Sequence, residues 1–192
     1  MIPLKKPLIL ASNSPRRKQL LADAGFDFTV EVLPTDETFP ATLPAEAVAD
    51  YTSREKAEMF LGLRPDDMVL TADTIVVADH EIMGKPANFH EAFQMLQKLS
   101  GKTHTVITSV SLLDDNSIQT VSDVAEVTFS RLEDWELTHY IDQYKPFDKA
   151  GSYGIQEWIG MVGVEKIQGS FYTIMGLPVH IVYKLLKPYF IR

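Results

Sequence analysis

The sequence predicts a mixed α/β fold, in which one β-sheet is flanked by helices. Two observations favour it: apolar, β-rich runs alternate with helix-like segments along the 192 residues, and neighbouring β-rich runs are joined by tight turns. Helical crossovers bring parallel pairing and hairpins bring antiparallel pairing, so a purely parallel sheet is not expected. No linker, internal repeat or low-complexity tract divides the chain, and we therefore predict a single domain over residues 1–192.

The first half of the chain supplies both kinds of element. Residues 8–11 form a short apolar run typical of a buried strand. Ser14 and Pro15 begin a helix that continues to residue 24, where Gly25 ends it. A strand over 26–32 and a helix over 44–61 are predicted next. A buried strand over 68–78 follows, and a turn at Asp79 and His80 joins it to a hairpin partner at 81–83. The capping-box pattern of Asn88 and Glu91 then begins a helix that Gly101 ends.

The second half continues with a hairpin and then with irregular, glycine-rich chain. Two β-rich runs, 103–113 and 117–129, are joined by a turn signal at residues 114–116. Ser130 and Glu133 have the spacing of a capping box and predict the next helix. The elements expected after it are a glycine-rich loop over 149–156, short strands within 159–174 and a last helix after Pro178.

Composition limits the classes of function. A net charge of −8 argues against a partner that is a nucleic-acid polymer, although a small anion bound by a local group of lysines and arginines stays compatible with it. The chain has no cysteine, and its five histidines lack the spacing of metal ligands. Neither a Walker A loop nor a G-x-S-x-G elbow is present.

The apolar run 8–11 is too short for a signal peptide and no run is long enough to cross a bilayer, so we expect a cytoplasmic protein with no membrane partner.

Hydroxyl and guanidinium groups crowd the turn after the first strand. Ser12 and Ser14 precede Arg16 and Arg17, which fall on the first helical turn, where the helix dipole disfavours a cation unless an anion is near. Backbone N–H groups, hydroxyls and guanidinium groups together suit phosphate oxygens. The alternative is a solvated pair of arginines beside a serine that only caps the helix, and this segment alone does not decide between the two.

A single carboxylate, Asp73, lies among aliphatic residues in the predicted strand 68–78. A carboxylate in such surroundings is costly unless it is paired, hydrogen-bonded or bound to a metal. Thr71 and Thr74 are the local partners that would satisfy it without any function. Lys85 stands in a Gly-Lys-Pro turn after the hairpin, where the chain folds back towards Asp73, although a lysine in such a turn is usually solvated.

Three further residues are candidates for the site. Glu37 follows the second predicted strand, a position at which α/β proteins collect ligands, although most acidic loop residues are only solvated. Lys56 lies on the predicted helix 44–61 and is by default a surface lysine. Gln156 ends the glycine-rich loop, and its amide offers a donor and an acceptor that match the edge of a pyrimidine base. The same loop sequence also suits a tight turn without a ligand.

Six short segments, in this order, resemble the Maf family of nucleoside triphosphate pyrophosphatases, also described as septum-formation inhibitors. They are SNSPRR from residue 12, ADT from 72, GKP from 84, LSG from 99, DKAGSYGIQ from 148 and MGLP from 175. The resemblance covers residues 8–186, nearly the whole chain. The segment DKAGSYGIQ ends in Tyr-Gly-Ile-Gln. This ending resembles the sequences of the subgroup that acts on dTTP and UTP, and not those of the subgroup that prefers modified guanine nucleotides.

The resemblance implies an elongated mixed sheet of the Maf / ITPase-like type, with two lobes around a central cleft. It implies a homodimer and hydrolysis between the α- and β-phosphates of a nucleoside triphosphate, with Mg²⁺ or Mn²⁺ as cofactor. The resemblance places the catalytic aspartate on Asp73, its supporting acid on Glu37, the site lysines on Lys56 and Lys85, and base choice on Arg16, Thr74 and Gln156. We expect Asp73 to activate the attacking water, and the carboxylates of Glu37 and Asp73 suit the metal ion. Ser12, Ser14 and Arg17 are further expected contacts to the substrate.

This sequence departs from the family pattern directly after Gln156. Glu157 and Trp158 follow it, where many relatives have glycine after the glutamine, and larger side chains there reshape the wall of a base pocket. CTP and modified pyrimidine nucleotides therefore stay among the expected substrates beside dTTP and UTP. The alternative function is a nucleotide-binding regulator of cell division or septum formation with little turnover. Asp73, Glu37 and the two site lysines favour catalysis, because a protein that only binds needs no general base.

Overall fold

A computed structural model of the chain describes residues 1–35 and 38–191. These residues contain a seven-stranded open mixed sheet with the order β2-β1-β3-β5-β6-β7, in which β4 pairs with β3, and helices flank the sheet. The strands are β1 Leu8–Leu10, β2 Thr29–Val30, β3 Met68–Ala78, β4 Glu81–Met83, β5 Thr103–Asp114, β6 Ser117–Phe129 and β7 Val164–Gln168. The predicted mixed α/β class is confirmed.

Parallel and antiparallel pairs are both present, as the sequence predicts. Strand β1 pairs in parallel with β2 and with β3, whereas β3 pairs antiparallel with β4, and β6 with β7. The turn from β3 to β4 has positive φ at Asp79 (50°) and His80 (66°), and the turn from β5 to β6 has it at Asp115 (46°) and Asn116 (62°). Two consecutive positive φ values match the twist of paired strands, which explains why these turn signals predict hairpins.

Two of the predicted helix caps are present. Ser14 caps α1, and Asn88 caps α3 by accepting the Glu91 N–H at 3.0 Å. The predicted strand 68–78, the hairpin strands and the last helix after Pro178 are confirmed. The helices are α1 Pro15–Asp23, α2 Ala45–Glu58, α3 Phe89–Leu99, α4 Asp134–Tyr144, α5 Trp158–Gly163, α6 Phe171–Met175 and α7 Val179–Leu186.

The prediction that Ser130 caps a helix is wrong by three residues. Helix α4 starts at Asp134, and its capping box is formed by Glu133 and Glu136. The Ser130 hydroxyl instead donates to the carbonyl of Gly163 at 3.1 Å, so it is used where the chain leaves β6. The capping patterns Ser130/Glu133 and Glu133/Glu136 overlap here. Because the Ser130 hydroxyl is bonded to Gly163, the second pattern forms the cap.

Two predicted strand regions are also corrected. The strand expected over 26–32 pairs only at Thr29–Val30, because the buried Phe26 makes an isolated bridge with Ile2 instead. Short strands expected within 159–174 are replaced by α5, β7 and α6. The carbonyl of Glu157 accepts the N–H groups of Gly160 and Met161, which starts a helical turn in place of a strand.

The chain forms two compact units, each with a hydrophobic core. The first unit comprises Met1–Asp73, Thr108–Asp123 and Gly176–Arg192, and the second comprises Thr74–Ile107 and Val124–Met175. A core cluster of the first unit contains Ile9, Ala11, Ala57, Phe60, Val69 and Leu113. A cluster of the second unit joins strand residues such as Val127 and Phe129 to the helical residues Leu96, Tyr140 and Ile141. Strands β3, β5 and β6 contribute residues to both units.

Candidate active site

The turn between β1 and α1, in the first unit, is organised by its two serines. The Ser14 hydroxyl accepts the Arg17 N–H at 3.5 Å and so caps the helix. The Ser12 hydroxyl accepts the Ser14 N–H at 3.2 Å and is itself buried. This turn is therefore a strand end followed by a capped helix N-terminus, which is the arrangement of backbone donors that suits an anion.

Arg17 ties this turn to two other segments of the first unit. Its Nε donates to the carbonyl of Gly176 at 2.8 Å, and its Nη1 donates to the carbonyl of Ala72 at 2.7 Å and to the Ser12 hydroxyl at 3.4 Å. Arg17 thus holds the turn directly against the residue that precedes Asp73. These contacts give Arg17 a positioning role in addition to the phosphate contact predicted for it, which stays a prediction.

Asp73 is paired with Lys56. The Lys56 Nζ donates to Asp73 Oδ1 at 2.8 Å, and the two side chains are 14% and 17% exposed. Helix α2 supplies Lys56 from its last turn, and β3 supplies Asp73 at the point where its residues change from buried to half-buried. The default interpretation of Lys56 as a surface lysine is therefore wrong, because its ammonium group reaches inward to the strand.

Thr71 has another partner than the one that the sequence suggested. Its hydroxyl donates to the carbonyl of Ser53 at 2.6 Å, so its single proton is not available to Asp73. The Ser53 hydroxyl is bonded to that of Ser111 at 3.0 Å, which continues a chain of buried hydroxyl groups between α2 and β5. Asp73 therefore depends on Lys56 and not on its strand neighbour Thr71.

This carboxylate–ammonium pair has the chemistry of a general base. A carboxylate offers about four acceptor positions, so the Lys56 contact at one oxygen of Asp73 leaves capacity for a water molecule or a cation. Both side chains are partly exposed, so a substrate or water can reach them. Within residues 1–35 and 38–191, no group of three or more acidic or histidine side chains is arranged to hold a metal ion. Glu37, the second predicted metal ligand, lies outside the described residues.

Other predicted residues lie in the second unit. Lys85 is exposed in the turn that follows β4, and Thr74 is half-buried on β3. The Gly151 N–H donates to the carbonyl of Gly84 at 3.1 Å, so the glycine-rich loop is bonded to the turn that carries Lys85. The structure thereby brings Lys85 and the segment of Gln156 into one part of this unit.

The loop 149–157 is tightly folded, and it leaves Gln156 exposed. It contains a turn of 3₁₀ helix at Ala150–Ser152, in which Gly151 has φ +67° and Ser152 φ 62°. A Cβ on Gly151 would lie 3.0 Å from both methyl groups of Val76, so a side chain there would crowd Val76 in addition to straining the backbone at positive φ. The predicted loop is confirmed, and its glycines serve close packing.

His104 and Tyr153 anchor the base of this loop. His104 Nε2 and the Tyr153 hydroxyl are hydrogen-bonded at 2.7 Å, and the rings of both residues pack against Phe129. Burial lowers the pKa of His104 to about 4, and burial raises the pKa of Tyr153, so both groups are neutral at pH 7. The pair therefore fixes Tyr153 without adding charge to the unit.

The sequence model of the Maf-like proteins matches residues 7–189. The chain belongs to the Maf family. A dTTP/UTP pyrophosphatase of Phocaeicola vulgatus is 53% identical over 185 residues, which cover 95% of this chain and 96% of the relative. Proteins with the same name are 46% identical in Bacteroides thetaiotaomicron (95% of this chain, 96% of the relative) and in Flavobacterium psychrophilum (93% and 92%).

The predicted site residues of this Maf chain fall into two groups. Those in the first unit are Ser12, Ser14, Arg16, Arg17, Lys56 and Asp73, and those in the second unit are Thr74, Lys85 and Gln156. Within the first unit, Arg17 contacts the carbonyl next to Asp73, and Lys56 contacts Asp73 itself. In the described parts of this Maf chain no helix has the length and apolarity needed to span a membrane.

Sequence reasoning missed a set of residues beside Gln156. Lys149 is a buried cation, Tyr140 is fully buried, and Glu157 bonds to both of them. The sequence singles out Glu157 by its departure from the Maf pattern and includes Lys149 in the segment DKAGSYGIQ, but neither observation predicts that these two side chains pair or that Tyr140 joins them.

Proposed function

We infer that this chain is a nucleoside triphosphate pyrophosphatase that hydrolyses dTTP and UTP to the nucleoside monophosphate and pyrophosphate. Its similarity to curated dTTP/UTP pyrophosphatases, at 46–53% identity over most of the chain, carries the inference of the reaction. The pairing of Lys56 with Asp73 at 2.8 Å is the structural observation that supports it, because it presents a partly exposed carboxylate beside a cation.

In the proposed reaction Asp73 is the general base. Its carboxylate accepts a proton from a water molecule as the water oxygen attacks the α-phosphorus. The bond between the α-phosphorus and the oxygen that bridges to the β-phosphorus breaks, and pyrophosphate leaves with the electron pair of that bond. Lys56 keeps the Asp73 carboxylate oriented through its 2.8 Å contact, so that the second oxygen meets the water.

Cationic side chains balance the charge of the substrate. A triphosphate carries about four negative charges at neutral pH, and positioning together with electrostatic stabilisation supplies most of the catalysis in such reactions. Lys56, Lys85, Arg16 and Arg17 are the groups proposed to meet this charge. Donors at the capped N-terminus of α1, among them Ser12 and Ser14, are proposed to add hydrogen bonds to phosphate oxygens.

A divalent cation belongs to the proposal. Mg²⁺ commonly uses one or two carboxylates beside phosphate oxygens and water, and the acceptor capacity left on Asp73 fits such a site. Mg²⁺ or Mn²⁺ would be held by Asp73 together with Glu37, and when bound it would neutralise part of the charge that develops on the phosphates.

Base choice is proposed to rest on Gln156, with Thr74 and Arg16 as further contacts. An exposed amide with a donor and an acceptor complements the O4 and N3–H edge of uracil or thymine. CTP and modified pyrimidine nucleotides are the additional substrates to be compared. A cytoplasmic homodimer completes the proposal, and light scattering of the purified protein tests the oligomeric state.

Product analysis tests this function directly. The purified protein is incubated with UTP or dTTP and Mg²⁺, and the products are separated by ion-exchange chromatography. UMP or dTMP with an equal amount of pyrophosphate is expected. Release of UDP and orthophosphate contradicts the proposal, and binding of UTP without products supports the alternative of a nucleotide-binding regulator.

A further inference from the structure

Glu157 connects residues from both ends of the loop 149–157. Its Oε1 lies 3.3 Å from the Nζ of Lys149, at the start of the loop, and its Oε2 accepts a hydrogen bond from the Tyr140 hydroxyl. The Tyr140 oxygen in turn accepts the Gly154 N–H at 3.0 Å, near the end of the loop. The Glu157 carboxylate therefore contacts Lys149 directly and is linked to Gly154 through the Tyr140 hydroxyl.

Lys149 has two acidic partners, and Glu157 is the more buried of them. The Lys149 side chain is 9% exposed and also contacts Asp148 Oδ1 at 2.7 Å, but Asp148 is 59% exposed whereas Glu157 is 17% exposed. A buried ammonium group requires a partner that is not screened by water, because its desolvation is costly. Burial and the Glu157 carboxylate raise the pKa of Tyr140, so this hydroxyl stays protonated and keeps donating to Glu157.

The same carboxylate shares a packing site with the Gln156 amide. A Cβ on Gly154 would lie 2.8 Å from the Cδ of Glu157 and 3.0 Å from the Nε2 of Gln156. Both side chains therefore lie over the backbone of Gly154. Because Glu157 also holds the Gly154 N–H through Tyr140, it fixes the surface on which the Gln156 amide rests.

We infer that Glu157 is a positioning residue for Gln156, and that it sets the selection of uracil and thymine over other bases by fixing the loop 149–157. The inference rests on the proposed function, because it concerns the base that this site accepts. Glu157 makes no contact with the reacting phosphate in this account. It acts through Gly154 and Tyr140 on one side and through Lys149 on the other.

Kinetics of Glu157→Ala and Glu157→Gln test the inference against a matched control. The kcat and KM values are measured for UTP, dTTP, CTP and GTP. For Glu157→Ala we expect the ratio of kcat/KM for UTP to that for GTP to fall about tenfold, the equivalent of one well-placed hydrogen bond. Most of the fall is expected in a higher KM for UTP. Glu165→Gln, an exposed glutamate of β7, is the control and keeps the wild-type ratio.

The amide variant separates charge from packing. Glu157→Gln keeps an acceptor for Tyr140 and the contact with Gly154 but loses the charge that faces Lys149, so an intermediate ratio is expected. If Glu157→Ala fails to fold, Glu157→Gln and Tyr140→Phe decide, since each removes one arm of the connection. A lower melting temperature with an unchanged UTP-to-GTP ratio in these variants overturns the inference and leaves Glu157 structural. Absence of UTP hydrolysis by the wild-type protein overturns the proposed function instead.

Discussion

In the first unit the charged pair comes from two different elements, since helix α2 supplies Lys56 and strand β3 supplies Asp73. In the second unit Lys149 and Glu157 come from the two ends of one loop, and Tyr140 of helix α4 connects to them. The two pairs are similarly buried, at 14% and 17% exposure for Lys56 and Asp73 and at 9% and 17% for Lys149 and Glu157. They differ in what they join, since the first pair links a helix to a strand and the second links the two ends of a loop.

This difference matches the two tasks proposed for these residues, which are catalysis for Asp73 and base choice for Gln156. A general base has to be held on rigid elements while it stays accessible to water, which is the situation of Asp73. A side chain that distinguishes bases needs a fixed orientation. A loop can provide it when its two ends are bonded to each other, as Lys149 and Glu157 are at the ends of the loop that carries Gln156. We therefore expect changes at Asp73 and its supporting contacts to lower turnover for every base, and changes in the loop 149–157 to alter the ranking of bases.

The largest effect is expected for Asp73→Asn. The amide cannot accept the proton of the attacking water, so kcat should fall about a thousandfold for every substrate, within the usual contribution of a general base. The fold should be retained, because the amide oxygen still accepts a hydrogen bond from Lys56. Pyrophosphate release is measured beside Asp66→Asn, an exposed aspartate before β3 that should keep full activity. Near-native turnover by Asp73→Asn would remove this residue from the mechanism.

The second prediction concerns pH and the loop anchor His104. The pKa of His104 is lowered from 6.5 to about 4 in the folded state, so the unfolded chain binds more protons between these values. The contribution of the neutral His104 ring to the free energy of unfolding is therefore complete above pH 6.5, and it is lost as the pH falls towards 4. From His104 alone, the free energy of unfolding should be about 2 kcal/mol lower at pH 5 than at pH 7.

Urea unfolding at the two pH values measures this difference. His104→Gln should remove that part of the pH dependence, whereas His90→Gln, at an exposed histidine of the same unit, should keep it. An equal pH dependence in wild type and His104→Gln would show that His104 becomes protonated without cost, and the anchor in the second unit would then not depend on a neutral ring.

The third prediction tests the rigid support of the first unit. Arg17→Lys keeps the charge but cannot donate at once to the carbonyls of Gly176 and Ala72 and to the Ser12 hydroxyl. The free energy of unfolding should fall by about 1–2 kcal/mol, and turnover should fall equally for all bases. Lys18→Arg, one position along the same helix, is the control. A change in base ranking would contradict the division of tasks.

The smallest effect is expected for Gln156→Ala, and it lies in selectivity. Loss of the amide should lower the preference for UTP over GTP by about tenfold, or about 1.4 kcal/mol, while kcat for UTP changes little. Gln168→Ala, an exposed glutamine of β7, serves as the control. An unchanged base ranking would exclude Gln156 as a reader of the base and would also remove the basis for a positioning role of Glu157.

Local signals account for much of what could be predicted. The capped helix after Ser14, the strand Met68–Ala78 and both hairpins follow from residues near one another in sequence. The failed cap at Ser130 and the helices in place of strands within 159–174 depend on distant contacts, such as the hydroxyl of Ser130 on the carbonyl of Gly163. Local patterns do not contain that information.

The same limit holds for the site. Asp73 is predictable because a carboxylate in an aliphatic strand needs a partner. Lys56 enters the predicted site only through the family resemblance, and the structure shows that it is the partner of Asp73, at 2.8 Å. Arg17 was predicted as a contact to phosphate, and its bonds to backbone carbonyls could not be foreseen. The role of Lys149 has no signal in the sequence either: its partners Asp148 and Glu157 are near along the chain, but burial of its ammonium group depends on how the loop 149–157 folds.

Hydrolysis of UTP in water enriched in ¹⁸O is the most direct test of the proposal that a water molecule activated by Asp73 attacks the α-phosphorus. Mass spectrometry of the products identifies the phosphorus that receives the labelled oxygen. We predict that the label appears in UMP, that pyrophosphate stays unlabelled, and that Asp73→Asn forms labelled UMP only very slowly. Label in pyrophosphate would contradict attack on the α-phosphorus, because it would place the attack on the β-phosphorus.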